Sequence, residues 1–464
     1  MEKKIATTCC NFQCRRYGRK IPAAGWRNQY FETPAEGIAG PAPNTQSNRR
    51  PPGEGMNIDT TRTHRQKEKW KLPNGWRWVR LGEICELNPH RPMIERQDSE
   101  PTSFIPMESI DAVSGTISDL RARPFGEVKK GYTYFSDGDV LFAKITPCMQ
   151  NGKHAIAQRL LDGIGFGTTE FHVLRPSQYV CSEWIHFFIR QPVVLHDATN
   201  HFTGAVGQQR VPDEFLRSLE IPLPSLPEQQ RIARVLHEQM VAVEKARTAA
   251  QARLEAVKAL PAAYLRQVFP QSGQPLPDGW RSVKLGEVCE IIAGQSPPGS
   301  TYLSMPEGLP FFQGKADFGK VKPVARVWCA KPIKIAQPGD ILISIRAPVG
   351  PTNVADTECC IGRGLAAIRC GETADRDFIL NALRNFEARL VKKGSGSTFE
   401  AINRDDLKSF EIPIPTLPEQ RRIAEVLKKQ MSTVEMACTA AEVELAAINA
   451  LPAALFRRAF NGEL

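Results

Sequence analysis

No C-x-x-C pair occurs among the twelve cysteines of this 464-residue sequence, no histidine follows His237, and no unbroken apolar run approaches a membrane span of roughly 18 residues. Widely spread and unpaired in this way, the cysteines read as reduced, mostly buried thiols, which points to the cytoplasm. Cys9, Cys10 and Cys14 lie close together, but no histidine or further cysteine completes a zinc spacing, so no metal site is expected. The basic N-terminus lacks an apolar segment and is no secretory signal.

Catalytic signatures are missing too. Gly152-Lys153, Gly314-Lys315 and Gly319-Lys320 have neither the spacing nor the hydroxyl of a phosphate loop. Gly362-Arg363-Gly364 is too short to cradle a cofactor, and none is expected. The Asn/Asp-Pro-Pro-aromatic stretch of a base aminomethyltransferase is absent. Pro212-Asp213 with Glu220 has no lysine at a distance a nuclease could use. With every histidine before Met240, no histidine-based site can occur in both halves of the chain.

What the chain does have is a repeat. LPNGWRWVRLGEICE (72–86) returns as LPDGWRSVKLGEVCE (276–290), IPLPSLPEQQRIARVL (221–236) as IPIPTLPEQRRIAEVL (412–427), and LPAAYLRQVF (260–269) as LPAALFRRAF (451–460). Short block, variable region and long block thus occur twice. The variable regions, 87–220 and 291–411, differ in length and look unrelated.

The long blocks read as helices. Ser225-Leu226-Pro227-Glu228 and Thr416-Leu417-Pro418-Glu419 fit a capping box, and the preceding I-P-x-P is extended. Apolar residues then recur in steps of three and four, from Ile232 through Leu236, Met240, Ala250 and Leu254 to Leu260, and from Ile423 through Leu427, Met431, Ala441 and Leu445 to Leu451. Two matching stripes predict two long helices packed antiparallel. Pro261 and Pro452 should kink or stop them. In the variable regions, FSDGDVLFAKITP (135–147) and AQPGDILISIRAPVG (336–350) each place a Gly-Asp turn before an apolar strand, and EWIHFFIRQP (183–192) and RDFILNALRNFEARL (376–390) read as helices.

These doubled motifs resemble the specificity subunit of type I restriction–modification systems. GDVLFAKITPCMQNGK (138–153) and ISIRAPVG with CIGRGLAAI (343–368) look like segments of its target-recognition domains. The resemblance covers about 72–464. It implies an α+β fold in which two α/β target-recognition domains are separated by two long antiparallel helices with a pseudo-twofold internal repeat. The expected divisions are a disordered extension over 1–68, a first target-recognition domain over 69–224, a central helix over 225–270, a second domain over 271–415 and a C-terminal helix over 416–464. Met56 is a candidate start, which would put 1–55 outside the translated chain. The resemblance further implies a non-catalytic subunit whose two domains each read one half of a split site in double-stranded DNA. Its helices would dock methyltransferase (modification) subunits, and a motor endonuclease (restriction) subunit would complete the complex. No membrane partner is expected.

Reading base edges and phosphates calls for Arg, Lys, Gln and Asn in loops. The first region offers Lys144, Gln150, Asn151 and Lys153 after a strand, then Thr203, Gln208, Gln209 and Arg210. The second offers Arg346, Arg363, Lys392, Lys393, Ser395, Ser397 and Thr398. The net charge of +10 is concentrated elsewhere, residues 1–70 holding 13 Lys/Arg against 6 Asp/Glu. The variable regions themselves are unequal, with 13 basic against 16 acidic residues in the first and 16 against 13 in the second. Two rival readings stay open at this level. One is an autonomous DNA methyltransferase or nuclease with a divergent site, which methyl transfer by the chain alone would reveal. The other is a coiled-coil scaffold whose modules bind protein or RNA, with no preference among duplexes.

Overall fold

The computed structural model describes residues 72–205, 207–271, 273–394 and 401–464. The expected N-terminal extension lies outside them. The chain falls into two compact units, residues up to Glu244 together with Ala450–Leu464, and Lys245–Asn449.

The first unit opens with β1 (Arg77–Arg80), α1 (Leu81–Ile84) and β2 (Cys85–Leu87), all from the short block. The variable region supplies β3 (Pro101–Ile105), β4 (Arg121–Pro124), α2 (Phe125–Val128), β5 (Thr133–Ser136), β6 (Val140–Ala143), β7 (His154–Ile156), β8 (Ile164–Gly167) and β9 (Phe171–Pro176). Helices α3 (Ser182–Ile189), α4 (Pro192–Asn200) and α5 (Asp213–Ser218) lead to β10 (Glu220–Leu223) and the long α6 (Leu226–Val268).

The second unit repeats the plan. It has β11 (Arg281–Lys284), α7 (Leu285–Val288), β12 (Cys289–Ala293), β13 (Tyr302–Leu303), β14 (Leu309–Phe312), β15 (Trp328–Cys329), β16 (Ile335–Ala336), β17 (Ile341–Ser344), β18 (Thr352–Val354), β19 (Cys359–Ile361) and β20 (Leu365–Cys370). Then come α8 (Arg376–Asn385), α9 (Glu387–Lys393), α10 (Arg404–Lys408), β21 (Glu411–Ile414) and α11 (Leu417–Phe460).

The two matched blocks of each repeat are partners. β1 pairs antiparallel with β10, Val79 opposite Ile221, and β11 pairs with β21, Val283 opposite Ile412. Each short block thus closes a ring around its variable region. Inside the rings the unlike sequences share a topology. One sheet runs β2-β9-β6-β7 in the first unit and β12-β20-β17-β18 in the second. The other sheet holds one parallel pair in each unit, β3 with β8 and β14 with β19. The Gly-Asp turns fall where expected. Gly138 and Gly339 take φ of 88° and 92°, values that favour glycine. Asp139 and Asp340 are buried, and each accepts two hydrogen bonds from one guanidinium, Arg175 at 2.9 and 2.7 Å and Arg369 at 3.0 and 2.8 Å. Such bidentate, charge-assisted pairs fix the turn to the neighbouring strand.

Two sequence expectations about the helices need correcting. Of the two outcomes expected at Pro261 and Pro452, a kink or a stop, the stop does not occur: both prolines lie inside helix. An interior proline costs about 3 kcal/mol. The turns beyond it bring Leu265 and Phe269 into the core of the second unit, and Phe456 and Phe460 into that of the first. Each such burial contributes roughly 1.5–3 kcal/mol, so packing outweighs the lost bond. The second correction concerns the caps. Glu228 and Glu419 do not reach back; their carboxylates accept from Arg231 (2.7 and 2.7 Å) and Arg422 (2.8 and 2.6 Å) one turn on.

The residue that fixes each helix start is the next one. Gln229 is fully buried, donates to the carbonyls of Tyr179 and Pro224 and accepts from Cys181 N–H. Gln420 makes the same three bonds, to Thr373 O, Pro415 O and Asp375 N–H.

In each unit the start of one long helix packs beside the end of the other. Ile232, Ala233 and Leu236 share a core with Phe456, Ala459 and Phe460, and Ile423, Ala424 and Leu427 share one with Leu265 and Phe269. The helices are therefore antiparallel. Arg253 and Glu444 pair at 2.7 Å and are repeat equivalents, 191 positions apart. By length and composition α11 could cross a membrane. Its two ends lie in protein cores and its middle carries Glu442 and Glu444 against Lys258 and Arg253.

Replacing Gln229 by alanine leaves the Cys181 N–H and two carbonyls without this partner and should lower unfolding free energy by about 2–3 kcal/mol. Glu228→Ala, which breaks only a surface pair, should cost less than about 1 kcal/mol. Urea denaturation of both variants checks the contrast, and equal losses would contradict it.

Candidate nucleic-acid interface

The strand order gathers chain reversals from one end of each four-stranded sheet. In the first unit these are the loops after β2, β3 and β6, the β8–β9 link and residues 201–205 and 207–211. Lys144 N–H donates to Glu170 O (2.9 Å), Thr146 N–H to Gln209 O (3.0 Å) and Val211 N–H to Lys144 O (2.9 Å). Thr203 and Arg210 exchange both backbone bonds at 2.9 Å. His172 Nε2 donates to Val211 O at 2.8 Å, a bond only a protonated Nε2 can make, so Nδ1 is left to accept from Asn88 Nδ2 at 3.2 Å.

Side chains around this frame are polar. Gln150, Asn151 and Gln208 are exposed and Gln209 is half-buried. Arg210 donates to both oxygens of Glu170 at 2.8 and 2.7 Å, which raises its pKa. Burial lowers the pKa of half-buried Lys144, and the Glu170 charge acts the other way. Lys144, Glu170 and Arg210 thus form one charge cluster. Lys153 is directed elsewhere, its Nζ donating to Met107 O at 3.0 Å.

The second unit builds the same frame from different residues. Ile345 N–H donates to Gly364 O (3.0 Å), Ile402 N–H to Ile345 O (3.0 Å), Gln295 N–H to Ile361 O (3.0 Å) and Gly362 N–H to Phe312 O (2.8 Å). Arg346 bridges Ala401, and Arg363 N–H donates to Ser296 Oγ at 3.2 Å. A Cβ on Gly364 would come within 2.2 Å of Gln313 O, so this loop requires glycine. A cis peptide precedes Pro147 and Pro348, one in each frame.

Arg346 and Arg363 are exposed, and among the described residues neither forms an ion pair. Lys392 is exposed. Lys393 is turned onto the segment around α10, donating to Ser409 Oγ at 2.8 Å and Asp406 O at 3.2 Å. Ser395, Ser397 and Thr398 lie outside the described residues.

The frame also holds residues the sequence reading passed over: Gln295, Gln313, Lys315 and Lys334, all exposed, and Asn88 and Glu170 in the first unit. A signal existed for the first three. Gly294-Gln295-Ser296 and Gln313-Gly314-Lys315 each follow an apolar strand, as the segment from Lys144 to Lys153 does. Among the described residues no group of His, Cys, Asp and Glu could hold a metal ion.

The family model described as type I restriction modification DNA specificity domain matches residues 73–250 and 277–441. A putative type I restriction enzyme MjaX specificity subunit from Methanocaldococcus jannaschii is 30% identical over 401 residues, covering 80% of this chain and 90% of that protein. The EcoAI specificity subunit from Escherichia coli is 40% identical over 168 residues, 36% of this chain and 28% of that one. Among solved structures, the HsdS subunit from Thermoanaerobacter tengcongensis is 37% identical with a TM-score of 0.61, covering 86% of this chain and all (100%) of that one. A chain solved in work on complex assembly and conformational transition of the type I R-M system is 38% identical with a TM-score of 0.76, at 85% and 100% coverage.

Three buried histidines lie in or behind the first frame. His186 is pushed down to about 3, mainly by burial and then by the nearby Arg190 charge. His154 and His172 are lowered too, each mainly by burial. Their folded pKa values lie below the unfolded value of about 6.5, so the unfolded chain binds more protons between the two. Stability is full above about pH 6.5 and is lost as pH falls, for His186 alone by about 2 kcal/mol at pH 5. Hydrogen exchange at pH 7 and pH 5, corrected for intrinsic rates, should show protection falling in β6, β7 and α3. The second unit has no histidine and should change little. Equal loss in both units would contradict the assignment.

Proposed function

The chain belongs to the DNA specificity subunits of type I restriction–modification systems, and from that premise we propose how its own residues divide the work. It is the non-catalytic subunit, giving DNA sequence specificity and assembling with methyltransferase and restriction subunits. One observation carries the residue-level reading: the same loop frame occurs once in each unit, built on one topology and lined by different polar side chains. Two such frames read two different half-sites.

In the first frame Gln150, Asn151, Gln208 and Gln209 supply donors and acceptors for base edges. Lys144 and Arg210 share their charge with Glu170. That lowers the frame's pull on phosphates and leaves a carboxylate able to accept from a cytosine amino group. In the second, Arg346, Arg363, Lys315 and Lys334 give a frame that depends more on phosphate contacts. The reading modules comprise residues 69–224 and 271–415, and the protein acts in the cytoplasm, where the DNA it reads lies. The long helices carry the partner-docking surface. On α11, Met436 and Val443 are each 64% exposed, on a face shared with Thr439 and Ala440.

Lys315→Ala with Arg363→Ala should weaken DNA binding and reduce the slope of log K against log salt by about one to two. Fluorescence anisotropy across a salt series reads this out, and an unchanged slope would place both cations away from the duplex. Met436→Glu with Val443→Glu should weaken association with the modification subunit by about tenfold or more while DNA binding by the free chain persists. Co-purification together with anisotropy separates the two effects; full assembly of the double variant would exclude this face.

A further inference from the structure

Cys289 opens β12 and Cys370 ends β20, and the two stand directly opposite in the antiparallel ladder. The next pair outward, Val288 and Gly371, is joined by a backbone bond, Gly371 N–H to Val288 O at 2.9 Å. Bonded and non-bonded pairs alternate, so Cys289 and Cys370 form a non-hydrogen-bonded pair. Such pairs bring Cα atoms to about 4.5 Å and their side chains closest, within the range a disulfide spans. The sulfurs already lie 3.7 Å apart.

The other thiols of this unit are differently placed: Cys438 stands on α11, and Cys329 and Cys360 touch each other but are closed off from solvent. Cys329, Cys359 and Cys360 are fully buried, and Cys329 opposes Tyr302 and Leu309 while Cys360 opposes Phe311 and Ile335. Cys370 is half-buried and within reach of solvent. In the first unit the equivalent pair is Cys85 opposite Pro176, which cannot cross-link.

We propose that Cys289 and Cys370 are a redox-modification site, a dithiol that a small-molecule disulfide such as oxidised glutathione converts to a cross-strand disulfide. The Cys370 thiolate attacks oxidised glutathione, whose S–S bond breaks. One glutathione thiolate leaves, and Cys370 carries the mixed disulfide. Cys289 gives up its proton and attacks the Cys370 sulfur, and the second glutathione leaves as thiolate. The two protons released by the cysteines end on the two glutathiones. The protein loses two electrons and the glutathione disulfide gains them. In the reduced pair, contact with Cys370 and burial both hold the Cys289 thiol up.

The new bond ties the two strands at their far ends. Their near ends carry the loops at Gly294–Ser296 and Gly362–Gly364. Residues 291–370 of the second variable region, from β12 to the end of β20, lie inside the closed loop, whose unfolded ensemble is thereby restricted. Oxidation therefore fastens the second module and leaves its reading loops free.

The test uses the full chain. It is incubated with oxidised glutathione, alkylated, digested and mapped by mass spectrometry, with and without dithiothreitol. The expected product joins the Cys289 and Cys370 peptides, reverts with dithiothreitol, and raises the melting temperature of the second unit. Cys370→Ser, at a half-buried site, should abolish both the cross-link and the shift. Cys289→Ser should leave Cys370 holding glutathione. Recovery of both thiols alkylated, a lasting glutathione adduct on Cys370 of the unmutated chain, or a bond from Cys370 to any other cysteine would overturn the proposal.

Discussion

Four-residue ladders between β1 and β10 and between β11 and β21 determine the rest of the architecture. Each joins a short repeated block to the start of a long one, across more than a hundred residues of variable sequence. Because the ladder is antiparallel and leads directly into a helix, it fixes where the helix starts. Gln229 and Gln420 then hold that start by three hydrogen bonds each. The variable sequence is free to change as long as its ends return to this clasp.

Inside the clasp the same physical device recurs with different consequences. A buried aspartate held by an arginine fixes the turn before the central strand in both units, and the strand delivers its loop to the same place. What lines the loops differs. Glu170 ties up Arg210 and draws on Lys144 in the first unit, whereas Gly362-Arg363-Gly364 presents an arginine on a link that has no carboxylate. One scaffold thus supports a frame of compensated charge and a frame of uncompensated charge.

Much of this was legible in the chain. The capping prolines, the apolar stripes and the Gly-Asp turns each follow from local rules and stand where those rules put them. Three features were not legible, for distinct reasons. The likeness of the two variable regions lies in strand order, which unrelated side chains can share. Pro261 and Pro452 carry a local penalty that only the distant cores receiving Phe269 and Phe460 could outweigh. Gln229 and Gln420 were visible as letters in the repeat, but their partners, Tyr179 and Thr373 among them, lie in sequence that is not repeated. Of the proposed reading residues, Lys144 and Arg210 come from separate stretches and meet in one cluster through Glu170. Lys153 and Lys393 donate to neighbouring loops, a choice that spacing alone does not encode.

Between the two long helices the chain holds Arg253 against its repeat equivalent, Glu444. A fragment carrying only the first repeat would set arginine against arginine if it paired with itself, and a fragment of the second would set glutamate against glutamate. Only the joined halves place opposite charges at this pair. The duplicated helices have thereby lost their interchangeability, and each half is electrostatically committed to the other as its partner.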